Sequence, residues 1–185
     1  MYIWAVKRPL LLLALCSLLV AGCRQEFSAY LQKAEKSFAD RNYINTIDTL
    51  NSGMPNWRES DGAIKKSRAF ELLGRSYQAL RNPDKAIDAY QQSVTLSPAA
   101  FDAASNLGDL YLLKSQPRLA LGAYQQALRS RPNDPMAILG LANSLYGLER
   151  YPEAAQAFQR VVDVSPGVRE ALESLAAIHS RGRRR

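Results

Sequence analysis

Residues 101–134 read FDAASNLGDLYLLKSQPRLALGAYQQALRSRPND, and their neighbours on both sides repeat them in phase. Pro132 has a proline 34 residues before it, Pro98, and another 34 residues after it, Pro166. Four further columns keep this period: Leu73, Leu107 and Leu141; Gly74, Gly108 and Ala142; Ala86, Ala120 and Ala154; Tyr90, Tyr124 and Phe158. A fixed period of this length is the mark of a stack of small units that cannot bury a core alone.

Each column has a physical reason if one unit is a pair of antiparallel helices. The small residue at Gly74, Gly108 or Ala142 lets the first helix approach the second, where Ala86, Ala120 or Ala154 is expected to face it. Tyr77 and Tyr111, one turn later, and the aromatics at 90, 124 and 158 fill the space between pairs as core. Pro98, Pro132 and Pro166 lack an amide hydrogen and end the second helix, whereas Pro83, Pro117 and Pro152 fall in its first turn, where that lack is harmless.

These columns resemble the tetratricopeptide repeat. The middle unit matches its pattern at Leu107, Gly108, Tyr111, Ala120, Tyr124, Ala127 and Pro132, and departs at Ala104, where the family has a bulky residue. The unit before it matches at Phe70, Leu73, Gly74, Tyr77, Ala86, Tyr90 and Pro98, and the one after departs at Ala142, Leu145 and Val161 with apolar replacements. The resemblance implies an all-α, right-handed superhelical solenoid of helix-turn-helix pairs. Three repeats span 67–168. Residues 169–185 read as a capping helix, carrying Leu172, Leu175, Ala176 and His179, followed by an Arg-rich tail. Residues 27 to about 52 read as a degenerate first repeat with Tyr30, Ala34, Tyr43, Ile47 and Leu50 on its apolar face. That repeat is six residues out of step, so the extra residues enter between Gly53 and Gly62.

The beginning of the chain has a different grammar. Lys7 and Arg8 precede an uncharged apolar run, too short to span a membrane, that ends in small residues. Val20-Ala21-Gly22-Cys23 resembles the bacterial lipobox, which implies a signal peptide at 1–22 and a lipidated N-terminus opening segment 23–66. Cys23 would carry a thioether-linked diacylglycerol, and an ordinary secretory peptide is the alternative. Each buried methylene contributes about 0.8 kcal/mol, so two or three acyl chains anchor stably. Cys16 leaves with the signal, which precludes a disulfide. Arg24 is not the aspartate that retains such proteins in the inner membrane of enteric-type bacteria, so the expected place is the cell envelope, on the outer membrane facing the periplasm. Loss of Lys7 and Arg8 takes the formal net charge from +7 to +5, and four of the remaining cations are Arg181, Arg183, Arg184 and Arg185. The near-neutral body does not suit nucleic acid.

Catalytic chemistry is sparse. No cysteine follows Cys23, the one histidine is His179, and there is no zinc spacing, phosphate-binding glycine loop or nucleophile elbow. His179 shares the phase of Tyr77 and Tyr111 and is expected to pack. No enzyme, cofactor or metal is therefore expected, and the chemistry falls to a surface. First helices of a solenoid line a concave groove, to which helical phase assigns Glu71, Arg75, Gln78, Asp102, Ser105, Asp109, Leu112, Leu139, Asn143 and Tyr146. In the family, co-chaperones grip a C-terminal carboxylate with Lys, Asn and Arg at set groove positions. Here those positions read Glu71 and Arg75, Ser105 and Asp109, Leu139 and Asn143, so that clamp is not reproduced. The expected partner is an extended or helical protein segment, with Leu112, Leu139 and Tyr146 as apolar anchors. Trp57 either anchors a partner or folds back over the solenoid end, and the Arg-rich tail either touches acidic lipid or solubilises. Lipoproteins of this architecture include pilotins and adaptors of envelope assembly, so an interaction scaffold is the first reading; an envelope hydrolase and a purely structural lipoprotein are the alternatives.

Overall fold

The repeating unit closes on its turns. The computed structural model describes residues 26–182, so Cys23, the signal segment and Arg183 to Arg185 lie outside the described residues. Within them the chain forms nine α-helices and no strand. They are α1 (Phe27–Ala39), α2 (Tyr43–Gly53), α3 (Ala63–Ala79), α4 (Pro83–Leu96) and α5 (Phe101–Leu113), then α6 (Pro117–Ser130), α7 (Pro135–Gly147), α8 (Tyr151–Val164) and α9 (Arg169–Gly182). First helices α1, α3, α5 and α7 each pair with the second helix that follows, and α9 packs on α8.

Every first helix ends in the same way. Asn42, Asn82, Gln116 and Arg150 donate their amides to the carbonyls of Ser37, Tyr77, Tyr111 and Leu145, and the residue before each donates to the next carbonyl along, that of Phe38, Gln78, Leu112 or Tyr146. This is the paired hydrogen-bond pattern of a Schellman stop. The residue at its left-handed position is Arg41, Arg81, Ser115 or Glu149, with φ of 57°, 56°, 56° and 60°, where glycine is the easier occupant. The next residue starts the second helix, and Asn42 and Asn82 cap it by accepting from the amides of Asn45 and Lys85. Pro98, Pro132 and Pro166 stand two residues beyond the ends of α4, α6 and α8.

The core runs between the two layers of helices in three contiguous clusters. Tyr90, Tyr124 and Phe158 are fully buried, as are Ala86, Ala120 and Ala154. The small column, however, meets a different partner from the one sequence phase suggests. A Cβ on Gly74 would lie 2.6 Å from the Tyr90 ring, and one on Gly108 would lie 2.7 Å from Tyr124. The glycines thus make room for the aromatic of their own repeat, not for an alanine. Gly140 on α7 does the same from the far side, with 2.2 Å to Tyr124, so that ring is held between two glycines of successive first helices.

The flanks differ from the middle. In the first pair the roles are exchanged: Tyr30 on α1 carries the ring and Gly53 on α2 gives the space, at 2.5 Å. The out-of-step residues between these pairs form two single 3-10 turns, Met54–Asn56 and Glu59–Asp61, and Gly62 turns the chain with φ of 81°. Helix α3 starts at Ala63, one turn before the frame at Ser67. Trp57 folds back onto the first cluster with the Lys66 ammonium 4.0 Å from its ring centre. On α9, Ala171 and Leu175 are buried while Leu172 is 47% exposed. His179 is exposed as well, contrary to its phase, because α9 has no second helix against it among the described residues.

Candidate functional site

The first helices present one continuous face. Residues that share a phase line up across it: Glu35, Arg75, Asp109 and Asn143 in one row, Arg68, Asp102, Met136 and Glu170 in another. Side chains cross between neighbouring helices on this face. The Arg68 Nε is 3.4 Å from Glu35 on α1, the Arg75 guanidinium stands 4.6 Å over the Phe38 ring, and Asn143 donates to Glu170 on α9 at 2.8 Å.

The expected groove residues do not all stay available. Glu71 is only 8% exposed, with its carboxylate 2.7 Å from Arg68 and 4.0 Å from Arg75. It is the centre of an ion-paired cluster on α3, not a free contact. Leu139 is 5% exposed and belongs to the third-repeat core, so its assignment as an exposed anchor is corrected: it is spent on the cluster that also holds Ile138, Phe158, Ala171 and Leu175. Leu112 is half-buried against the central core and has only part of its surface for a partner. Tyr146 remains 39% exposed and meets Tyr151 edge-on at 5.4 Å, with Arg181 over the Tyr151 ring. Two residues the groove assignment missed are Arg68 and Met136, the latter 65% exposed; both were legible by the 34-residue period.

Two buried tyrosines reach the groove with their hydroxyls. Tyr90 donates to Gln78 at 2.9 Å, and Tyr124 donates to the Asp109 carboxylate. Burial pushes both phenols well above their usual range, so they remain donors at any physiological pH. Asp109 is itself pushed up, chiefly by burial of its carboxyl, with the Tyr124 hydrogen bond opposing the rise. The Ser105 Oγ is buried nearby without a hydrogen-bond partner.

On the opposite layer, a cleft of about 260 Å³ opens between α2 and α4, floored by Phe70, Leu73 and Tyr77 of α3. No group of three His, Cys, Asp or Glu among the described residues is arranged to hold a metal, and none of their helices is long and apolar enough to cross a membrane.

Two family models described as tetratricopeptide repeat match the chain, one over residues 71–135 and one over 112–178. The chain carries tetratricopeptide repeats. Among curated proteins it is 32% identical over 88 residues to the chloroplast tetratricopeptide-repeat protein PYG7 of Arabidopsis thaliana, covering 48% of this chain and 29% of that protein. It is 26% identical over 117 residues to the type IV pilus assembly protein PilF of Pseudomonas aeruginosa, covering 63% of this chain and 45% of PilF. The chain therefore spans less than half the length of these relatives. Its fold superposes on YrrB, a tetratricopeptide-repeat protein with an unusual peptide-binding site, with a TM-score of 0.77, 18% identity and coverage of 91% and 84%. It also superposes on the first such domain of Spaghetti (RPAP3) bound to the HSP90 peptide SRMEEVD, with a TM-score of 0.60, 20% identity and coverage of 64% and 94%.

Proposed function

We propose that the protein is an interaction scaffold that holds a segment of another protein along its first-helix face, and that it does so anchored to a membrane of the bacterial cell envelope through Cys23. The observation that carries the first part is the division of labour within the repeat. The core columns are spent on stacking, while Met136 and Tyr146 leave apolar surface exposed on one face that Asp109 and Asn143 line with polar groups. Solved neighbours of this fold that bind peptides support the reading, and the likeness to a pilus assembly protein agrees with an envelope setting. The anchor rests on the Val20-Ala21-Gly22-Cys23 sequence.

Two experiments test the two parts. A photoreactive amino acid at position 146 should crosslink a defined protein in cells, whereas the same group at Gln125 on α6 should not; equal products from both positions would overturn the groove. Metabolic palmitate labelling should mark the wild type and leave Cys23→Ser unlabelled, and equal labelling of the two would overturn the anchor.

A further inference from the structure

The groove is charged differently from the rest of the molecule. Its positions hold six carboxylates, Glu35, Glu71, Asp102, Asp109, Glu170 and Glu173, against two cations, Arg68 and Arg75. The remaining described residues reverse the balance, with sixteen Lys and Arg against eleven Asp and Glu. A body that is almost neutral as a whole has thus sorted its charge, negative on the first-helix face and positive elsewhere.

The sorting is uneven along the groove. Both cations stand on α3 and are committed to Glu71, Glu35 and the Phe38 ring. From α5 to α9 the groove positions offer four carboxylates, and the cations that approach them stand at the edges, Arg181 of α9 lying over the Tyr151 ring beside Tyr146. Arg131, at the end of α6, pairs with Asp102 at 3.7 Å with both side chains more than half exposed, a weak surface pair, and Asn143 supplies Glu170 with a neutral donor. Asp109 has its Tyr124 hydrogen bond and no ion pair, and Glu173 has no ion-pair partner among the described residues. Carboxylates gathered on one inward-curving face reinforce one another's field, which favours a cationic occupant and repels an acidic one. Between them, Met136 and Tyr146 leave apolar surface exposed.

We propose that the α5 to α9 half of this groove receives a Lys- or Arg-bearing segment of a protein partner, whose cations meet Asp102, Asp109 and Glu173 while apolar side chains of the segment rest against Met136 and Tyr146 at the two ends of α7. This rests on the groove reading above and names the chemistry of its occupant. It is the opposite of the occupant in the RPAP3 neighbour, whose peptide SRMEEVD carries two glutamates and a terminal aspartate. A segment of that kind would meet like charge here.

The test uses the full chain in detergent with two labelled peptides of amidated C-terminus: SRMEEVD, and its counterpart with both Glu and the Asp replaced by Lys. The lysine peptide should bind and weaken with rising salt, and the acidic one should not bind. Asp109→Asn combined with Glu173→Gln should weaken the lysine peptide about tenfold, whereas Asp88→Asn with Asp163→Asn on second helices should leave it unchanged. Asp102→Asn is the further variant if helicity is lost. Preference for the acidic peptide, or equal loss from the second-helix variants, would overturn the proposal. Should Tyr146→Ala weaken capture of the crosslinked partner while the carboxylate variants do not, the groove stands and its cationic occupant falls; should neither matter, the groove itself falls.

Discussion

The joints on the two sides of α5 are built from the same columns and are not equal. Towards α3, Tyr90 is accommodated by Gly74 alone among the glycines, and the position that corresponds to Gly140 is Asn106, which keeps a side chain. Towards α7, Tyr124 lies between Gly108 and Gly140. The surface above follows the same division: charges are paired off within α3 and α1 on one side, while on the other Asp109 and Glu173 have no ion-pair partner among the described residues. The repeat fixes the backbone and the core columns, and what distinguishes one repeat from the next lies at positions where the period is broken.

The largest effect should come from removing the ring at the tight joint. Tyr124→Ala is expected to cost about 3–5 kcal/mol in denaturant unfolding, the usual range for a fully buried aromatic. Tyr124→Phe copies Phe158 of the next repeat and should lose only the Asp109 hydrogen bond, about 1 kcal/mol. A full-sized loss from the phenylalanine variant would mean that the hydroxyl, not the ring, holds the joint.

Filling the space beside the ring should come next. Gly140→Ala would set a methyl 2.2 Å from the Tyr124 ring, and Gly108→Leu would drive a larger group into it from the other side. Each is expected to destabilise by about 1–3 kcal/mol through overpacking. An unchanged melting curve for either would show that the joint is loose and the comparison mistaken.

A smaller effect should follow the groove charge. Because burial raises the pKa of Asp109 above the ordinary carboxylate value, its folded form holds a proton more tightly than the unfolded chain does. Ionising it therefore costs native stability as pH rises through that range. Asp109→Asn removes this cost while keeping an acceptor for Tyr124, so its melting temperature should exceed that of the wild type near neutral pH and converge with it in acid. A gain confined to acid pH would contradict the assigned direction.

The smallest effect concerns the turns. Ser115 occupies a left-handed position that strains an L-residue by about 1–2 kcal/mol, part of which glycine returns as chain entropy. Ser115→Gly should stabilise by up to about 1 kcal/mol, measured by thermal melting, and a clear loss would show that the serine side chain is needed there.

Much of this was legible in the sequence because a period of 34 residues imposes itself on every position that stacking uses. The pairs, their proline punctuation and the aromatic column all follow from it. The Schellman turns escaped notice because no glycine marks them: arginine, serine and glutamate fill the left-handed position at Arg41, Arg81, Ser115 and Glu149. Gly140 escaped because it occurs once, so no column points to it. Leu139 and Glu71 were assigned to the groove by phase, yet phase gives direction without depth: the third-repeat core takes up the one and two arginines pair with the other. His179 failed the other way, since a phase means burial only where a next helix covers it.

The most direct test of the scaffold reading is the equilibrium affinity of the crosslinked partner for the full chain carrying Tyr146→Ala or Gln125→Ala, with helicity followed in parallel. Loss of affinity in the first variant at unchanged helicity, and none in the second, is the expected result. An unaltered affinity for Tyr146→Ala together with a loss for Gln125→Ala would place the partner on the second-helix face and contradict the account.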